Sequence, residues 1–276
     1  MPVPLTKLLD DVVHLCPLPA TTKKVMDLAD SDRASIADIG RVIATDPALA
    51  TAVLRVANSA LYAGMKVSQL DAAVIRIGLR ELKALASAMS VLAAFRSKDP
   101  VQAMLNERCV LSGTVANKLA KATKIIAPSL ASTCGLLSEI GAMACLAGDT
   151  KEYSKLWQAT LGDYSQRVAL ERERYSVTSY EIGRRFLERN SVPEEVYSAV
   201  GIELGEVTEK VSPLQSLVLI ARHSTGILLT LNGEDEEIIV TALDTLVKTV
   251  EFAQLDGKGL YEIYLREGVL RDLGRK

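Results

Sequence analysis

Apolar residues recur along most of this chain at the spacing of a helix face. One stripe runs through Leu70, Val74 and Ile77, and a longer one runs from Leu82 to Phe95. No stretch alternates apolar and polar residues for long enough to predict a sheet, and no repeat of fixed length is present. The pattern therefore predicts an all-α protein built as a multi-helix bundle.

Asp46 and Pro47 mark the start of one predicted helix. The Asp46 side chain can accept a hydrogen bond from a first-turn N–H, and Pro47 at the first helical position loses no bond. This helix runs on to Asn58 and Ser59, and Arg55 and Asn58, three residues apart, lie on the same strip of its surface.

Arg55 and Asn58 have two interpretations. They could present a guanidinium and an amide to a carboxylate, a phosphate or a partner's backbone. Alternatively, Asn58 and Ser59 close the helix end and bond the loop near Ser68, while Arg55 pairs with a nearby carboxylate. We favour the structural interpretation because polar residues near helix ends usually satisfy backbone groups.

Breaks in the pattern predict three segments. Ser97-Lys98-Asp99-Pro100 separates an N-terminal helical bundle, residues 1–98, from a second bundle, residues 99–253. A nearly all-apolar helix from Leu130 to Leu146 is expected at the centre of the second bundle. Residues 254–276 form a C-terminal extension, whose amphipathic part is either a docking helix or a frayed tail.

Net charge, cysteine content and apolar stretches indicate which classes of partner and which cellular compartment to expect. The net charge of −2 over 276 residues gives no electrostatic argument for a nucleic-acid or membrane partner. The four cysteines form no C-x-x-C pair and are expected to be reduced, buried thiols. No signal peptide is indicated, and Arg222 and His223 interrupt the apolar stretch from Leu214 to Leu231. The chain is expected to be soluble and cytoplasmic.

The run from Asp46-Pro47-Ala48-Leu49 to Asn58-Ser59 resembles the signature of the HDOD domain. Leu18-Pro19 precedes it and Ile77-Gly78 follows it, in the order that the family shows. HDOD domains are helical regulatory modules of bacteria related to the HD-type metal phosphohydrolases. The resemblance extends over about residues 15–231 and implies that the second bundle is a degenerate HD-like domain.

An HD phosphohydrolase holds its divalent metals with a His, a His-Asp pair and later His or Asp residues, which leave an open position for a reactive water. The resemblance puts the corresponding positions at or near Leu111, Ser138, Glu139, Ser179, Glu203 and Arg222. None of these residues is a histidine, and the chain has two histidines in all, His14 and His223. The sequence therefore predicts that the metal centre is lost, with no catalytic residue and no cofactor.

In one alternative interpretation, the protein still binds a metal ion, through carboxylate oxygens alone. Glu139, Glu181 and Glu203 could form an oxygen-only site for a hard cation. We instead interpret them as carboxylates on helix surfaces, because spacing alone does not bring them together.

The resemblance implies a non-catalytic bacterial signalling protein that binds a protein partner, in a two-component or cyclic-di-GMP-linked pathway. Two alternatives stay open. One is a metal-dependent phosphohydrolase with substituted ligands. The other is a sensor that binds a small ligand, such as a nucleotide, in the vestigial pocket beneath Ser138 and Ser179.

Overall fold

The computed structural model describes residues 20–29, 31, 33–58, 66–79, 82, 85–86, 95, 97–160, 163–190, 192–204, 211–231, 234–252 and 255–266. Every regular element within these ranges is a helix, which confirms the all-α prediction. Ser59 and His14 lie outside the described residues, as does the side chain of Arg55.

The first group of helices comprises α1 (Ala20–Ala29), α2 (Ile36–Ala44), α3 (Pro47–Ala57) and α4 (Leu70–Ile77). Their buried side chains, among them Val25, Ile39, Val53 and Val74, form one hydrophobic cluster. Helix α3 begins where Asp46 predicts, because the Leu49 N–H donates to Asp46 Oδ1 at 3.0 Å.

Asn58 joins two parts of the chain at the end of α3. Its amide Nδ2 donates to the Val67 carbonyl at 2.7 Å, and the Val67 N–H donates back to Asn58 Oδ1 at 2.8 Å. This pair of bonds ties the helix end to the segment that leads into α4, one residue from the expected contact near Ser68.

The remaining helices share a second hydrophobic cluster, which runs from Phe95 to Tyr264. They are α5 (Pro100–Thr123), α6 (Pro128–Leu136), α7 (Ile140–Gly148), α8 (Thr150–Thr160), α9 (Tyr164–Tyr175), α10 (Ser179–Arg189), α11 (Glu194–Val200), α12 (Pro213–Thr230), α13 (Glu236–Thr249) and α14 (Gly257–Arg266). The long helix α5 packs against α6 and α12, and α7 packs against α10.

Helix α14 belongs to this second cluster through Leu260, Tyr261 and Tyr264. The Tyr264 hydroxyl lies 2.6 Å from the Ser224 hydroxyl of α12. The described part of the predicted extension is therefore packed on the bundle. The boundary between residues 98 and 99 stays a prediction.

The prediction of one central helix from Leu130 to Leu146 is wrong. The chain turns at Leu137–Glu139 and divides the stretch into α6 and α7. The backbone of Glu139 (φ −108°, ψ 16°) leaves the helical conformation at this turn. Because of the turn, the Glu139 side chain points into the bundle, where the residue is 1% exposed.

Among the described residues, one stretch, Pro128–Gly148, is long and apolar enough to cross a membrane by length and composition. Within it, 83% of the most apolar window is buried inside the protein.

Candidate functional site

Glu139 lies at the centre of a buried group of charged side chains. Arg167 Nη1 donates to Glu139 Oε2 at 3.1 Å, and the Tyr164 hydroxyl donates to Oε1 at 2.9 Å. Arg108 Nε approaches Oε1 to 3.5 Å, an ion-pair distance without hydrogen-bond alignment. Both carboxylate oxygens of Glu139 are therefore occupied by cationic or hydroxyl donors.

A second buried carboxylate, Glu171, lies one helical turn after Arg167 on α9. Arg167 Nε lies 3.5 Å from Glu171 Oε1, which also accepts a 2.7 Å bond from the Tyr153 hydroxyl. The Ser179 N–H at the start of α10 donates to Glu171 Oε2 at 2.7 Å. Glu171 thus links α9 to α8 and to the first turn of α10.

Arg222 of α12 is fully buried. Its Nη1 donates to the Val200 carbonyl at 3.0 Å, and its Nη2 donates to the Ile202 carbonyl. The guanidinium lies 4.1 Å from the centre of the Tyr180 ring, a cation–π contact. Arg222 therefore holds the end of α11 against α12.

Aromatic rings surround the other two guanidinium groups. Arg167 lies 4.7 Å from the ring centres of both Trp157 and Tyr164, and Arg108 lies 4.6 Å from that of Tyr164. Such contacts compensate in part for the loss of water around a buried cation. We call Arg108, Arg167, Arg222, Glu139 and Glu171 the arginine cluster.

The arginine cluster carries three guanidinium groups and two carboxylates, an excess of one positive charge when both carboxylates are ionised. Burial alone would raise the pKa of Glu139, but Arg167, Arg108 and Arg222 together hold it below its ordinary value. Burial raises the pKa of Glu171, although Arg167 and the bonds from Ser179 oppose that rise.

His223 lies beside the arginine cluster on α12 and is 6% exposed. Burial, followed by the charges of Arg222, Arg167 and Arg108, lowers the pKa of His223 well below its ordinary value. The imidazole is therefore neutral at pH 7. Its ring centre lies 4.3 Å from that of Tyr164, and its Nε2 has no hydrogen-bond partner in the part of the chain that the structure describes.

A cavity of about 270 Å³ opens next to this histidine, between α9, the start of α10, residues 203–204 and α12. Its lining comprises Tyr164, Ser165, Val168, Ala169, Arg172, Tyr180, Glu203, Leu204 and His223. Arg172 Nη2 and Glu203 Oε2 form an ion pair of 3.0 Å there, with the Arg172 side chain half exposed. We call this space the His223 cavity.

The structure brings several of the predicted HD positions to this region. Glu139 and Arg222 belong to the arginine cluster, and Ser179 bonds to it through its backbone. Glu203 lines the adjoining cavity. Leu111 is buried on α5, one turn after Arg108. Ser138 is also buried, in the turn that carries Glu139, and its hydroxyl bonds to none of the described residues.

Our interpretation of the glutamates as helix-surface carboxylates is wrong for two of them. Glu139 is 1% exposed and Glu203 is 7% exposed, because both lie inside the contact between α9 and its neighbours. Glu181 instead accepts a 3.0 Å bond from the Thr178 N–H and closes the N-terminal end of α10. Within the described ranges, no three His, Cys, Asp or Glu side chains are grouped as metal ligands.

Sequence reasoning missed Arg108, Arg167, Glu171 and their aromatic partners. The i, i+4 spacing of Arg167 and Glu171 was visible, but in a stretch rich in Glu and Arg it is typical of a solvated helix face. The available signal was the group of four tyrosines and one tryptophan in the sequence of α8–α10, which includes Arg167 and Glu171.

Solved structures share this fold. The structure of a candidate phosphohydrolase from Shewanella amazonensis SB2B is 22% identical, covers 97% of this chain and 96% of its own, and has a TM-score of 0.71. The structure of an HDOD domain protein of unknown function from Geobacter sulfurreducens is 18% identical. It covers 98% of this chain and 96% of its own, and has a TM-score of 0.65. At these identities the likeness is one of fold.

Sequence comparison identifies the family. An uncharacterized protein of Treponema pallidum (strain Nichols) is 29% identical over 220 residues, which cover 77% of this chain and 42% of that protein. The chain thus spans about two fifths of the length of that relative. The family model of the HDOD domain matches residues 15–203, more than half of the chain. The chain belongs to the HDOD domain family.

Proposed function

We propose that this HDOD protein is a non-catalytic regulatory protein that acts by binding a protein partner in a bacterial signalling pathway. The arginine cluster is the observation that carries this proposal. It lies where the resemblance to HD phosphohydrolases puts the His-Asp pair and the closing Asp, at Glu139 and Arg222.

The chemistry of the arginine cluster opposes a divalent cation. Glu139, the carboxylate in the position of the family's Asp, already accepts bonds from Arg167 and Tyr164. A metal ion would have to displace those donors and lie among three guanidinium groups, at a high electrostatic cost in a buried site. A substituted-ligand phosphohydrolase is therefore the less favoured alternative.

Exposed apolar side chains support a protein partner. Ile75 and Leu79 are 69% and 36% exposed near the end of α4, and Ile125 is 40% exposed in the turn after α5. Leu79 and Ile125 line a cleft of about 400 Å³ between the two groups of helices. Apolar surface around a cleft is typical of contact sites for other proteins.

Hydrolysis of bis(4-nitrophenyl) phosphate in the presence of Mn²⁺ tests the absence of catalysis. We expect no turnover above that of buffer containing Mn²⁺ alone. Turnover clearly above that background would favour the phosphohydrolase alternative instead.

Crosslinking capture from the cells that make the protein tests whether a protein partner binds at this cleft. We expect a specific protein to be captured by the wild type and lost with Leu79→Asp, because a charge in the cleft disrupts an apolar contact. Met104→Asp is the matched control, since Met104 is 39% exposed on α5 and does not line the cleft. Equal capture by all three proteins would contradict a partner at this cleft.

A further inference from the structure

We propose that the His223 cavity binds a small organic anion that carries a planar ring. This inference goes beyond the proposed function, since a regulatory HDOD protein need not bind a small molecule. The site also differs from the vestigial pocket beneath Ser138 and Ser179. The hydroxyls of those two residues are buried, and neither residue lines the cavity.

The charge of the surroundings favours an anion. Behind the cavity wall, Tyr164 and Tyr180 contact the guanidinium groups of the arginine cluster, which has an excess of one positive charge. Arg172 and Glu203 in the lining form a neutral pair. Among the described residues, the charges nearest the cavity therefore sum to a net positive charge, and a fixed charge acts strongly across a low-dielectric wall.

The same region has hydrogen-bond donors without acceptors. Arg108 Nη2, Arg222 Nε and Trp157 Nε1 are all buried and find no hydrogen-bond acceptor among the described residues. Such donors are rare in a folded protein. The two arginine atoms belong to guanidinium groups of the arginine cluster, whose positive charge a bound anion in the cavity would offset.

The rings that line the cavity favour a planar ligand. Tyr164, Tyr180 and His223 contribute aromatic surface, while Val168 and Leu204 contribute aliphatic surface. Aromatic rings attract other rings in offset or tilted arrangements. The neutral His223 ring can also accept or donate one hydrogen bond according to its tautomer. At about 270 Å³ the cavity suits a compound of one or two rings.

Benzoate is the probe, because it combines one ring with one carboxylate. The chain has two histidines, so the imidazole C–H resonances give two reporters in a ¹H–¹³C spectrum, and His223→Gln assigns them. We expect benzoate to shift the His223 resonance saturably at millimolar concentration and to raise the pKa of His223, because the anion offsets the guanidinium charges. The neutral isostere benzamide should bind at least tenfold more weakly, and inorganic phosphate, which lacks the ring, should also bind more weakly.

A variant that fills the cavity provides a second test of binding at this site. Ala169 lies at the cavity edge and is exposed, so Ala169→Trp can block the space without disturbing the core. Ala44→Trp, at an exposed position of α2, is the matched control. We expect the benzoate shift to be lost in Ala169→Trp and retained in Ala44→Trp.

Three results would overturn the proposal: no shift of His223 with benzoate, equal shifts with benzamide, or an unchanged shift in Ala169→Trp. None of them bears on the proposed function, which fails through Mn²⁺-dependent turnover instead. The two proposals can thus fail separately.

Discussion

Arg167 and Glu139 form an ion pair of 3.1 Å inside the second bundle, with side chains that are 2% and 1% exposed. The residues are 28 positions apart, and their contact joins helix α9 to the turn between α6 and α7. Burying two charges costs several kcal/mol each before their attraction is counted. The aromatic rings and hydroxyls around the pair are what make this arrangement stable.

Breaking this pair should destabilise the fold strongly. Glu139→Gln leaves Arg167, Arg108 and Arg222 without their shared counter-charge, and we expect a loss of about 3–5 kcal/mol in the free energy of unfolding. Urea unfolding at pH 7 measures it.

Glu203→Gln is the control for that measurement. Its partner Arg172 is half exposed, so solvent screens the pair, and we expect a loss of about 1 kcal/mol or less. A Glu139→Gln variant as stable as the wild type would show that the arginine cluster does not hold the bundle together.

The bonds between Asn58 and Val67 predict a structural role for Asn58. Asn58→Ala removes both bonds, and we expect a loss of about 1–2 kcal/mol, because each hydrogen bond contributes about 1 kcal/mol. Thermal unfolding together with the crosslinking capture described above measures stability and partner binding on the same variant.

Asn106→Ala is the matched control, since Asn106 is exposed on α5. Its side-chain oxygen accepts a hydrogen bond from Gln102, one turn earlier on the same helix. We expect that control to cost little. An Asn58→Ala variant with unchanged stability and lost partner binding would reverse the interpretation and make Asn58 part of an interface.

The lowered pKa of His223 should make the free energy of unfolding depend on pH. Its pKa is lowered in the folded protein, so as the pH falls below about 6.5 the unfolded chain takes up a proton before the folded chain does. Stability from this group is therefore present above pH 6.5 and is lost as the pH falls, by up to about 1.4 kcal/mol per pH unit.

His223→Gln removes this titration, and the variant should show a flatter stability profile between pH 6.5 and 5 in urea unfolding. His14 is present in both proteins, so its contribution cancels in the comparison. Parallel profiles for the two proteins would show that His223 titrates normally in the folded state.

The sequence pattern predicts the fold well because helical periodicity and capping are local. The two consecutive residues Asp46 and Pro47 predict the start of α3, and the structure has that start. The turn at Leu137–Glu139 escapes the same reasoning, because its residues are as compatible with a continuous apolar helix as with two helices. Tertiary packing decides between them.

The candidate site is harder to predict because its members come from separate helices. Resemblance to the HD family finds Glu139 and Arg222, because it predicts ligand positions at these two residues. It cannot find Arg108, Arg167 or Glu171, because they lie at none of the predicted ligand positions. Their burial depends on contacts between residues far apart in the sequence, such as Arg167 with Glu139, 28 positions earlier. A local pattern therefore assigns them to the surface.

The metal content of the purified protein tests the central claim most directly. Elemental analysis after purification without chelator, and again after dialysis against Mn²⁺, should find far less than one metal ion per chain, because guanidinium groups surround Glu139. About one or two bound ions per chain would contradict the account, since they would show that the second bundle still holds a catalytic type of metal centre.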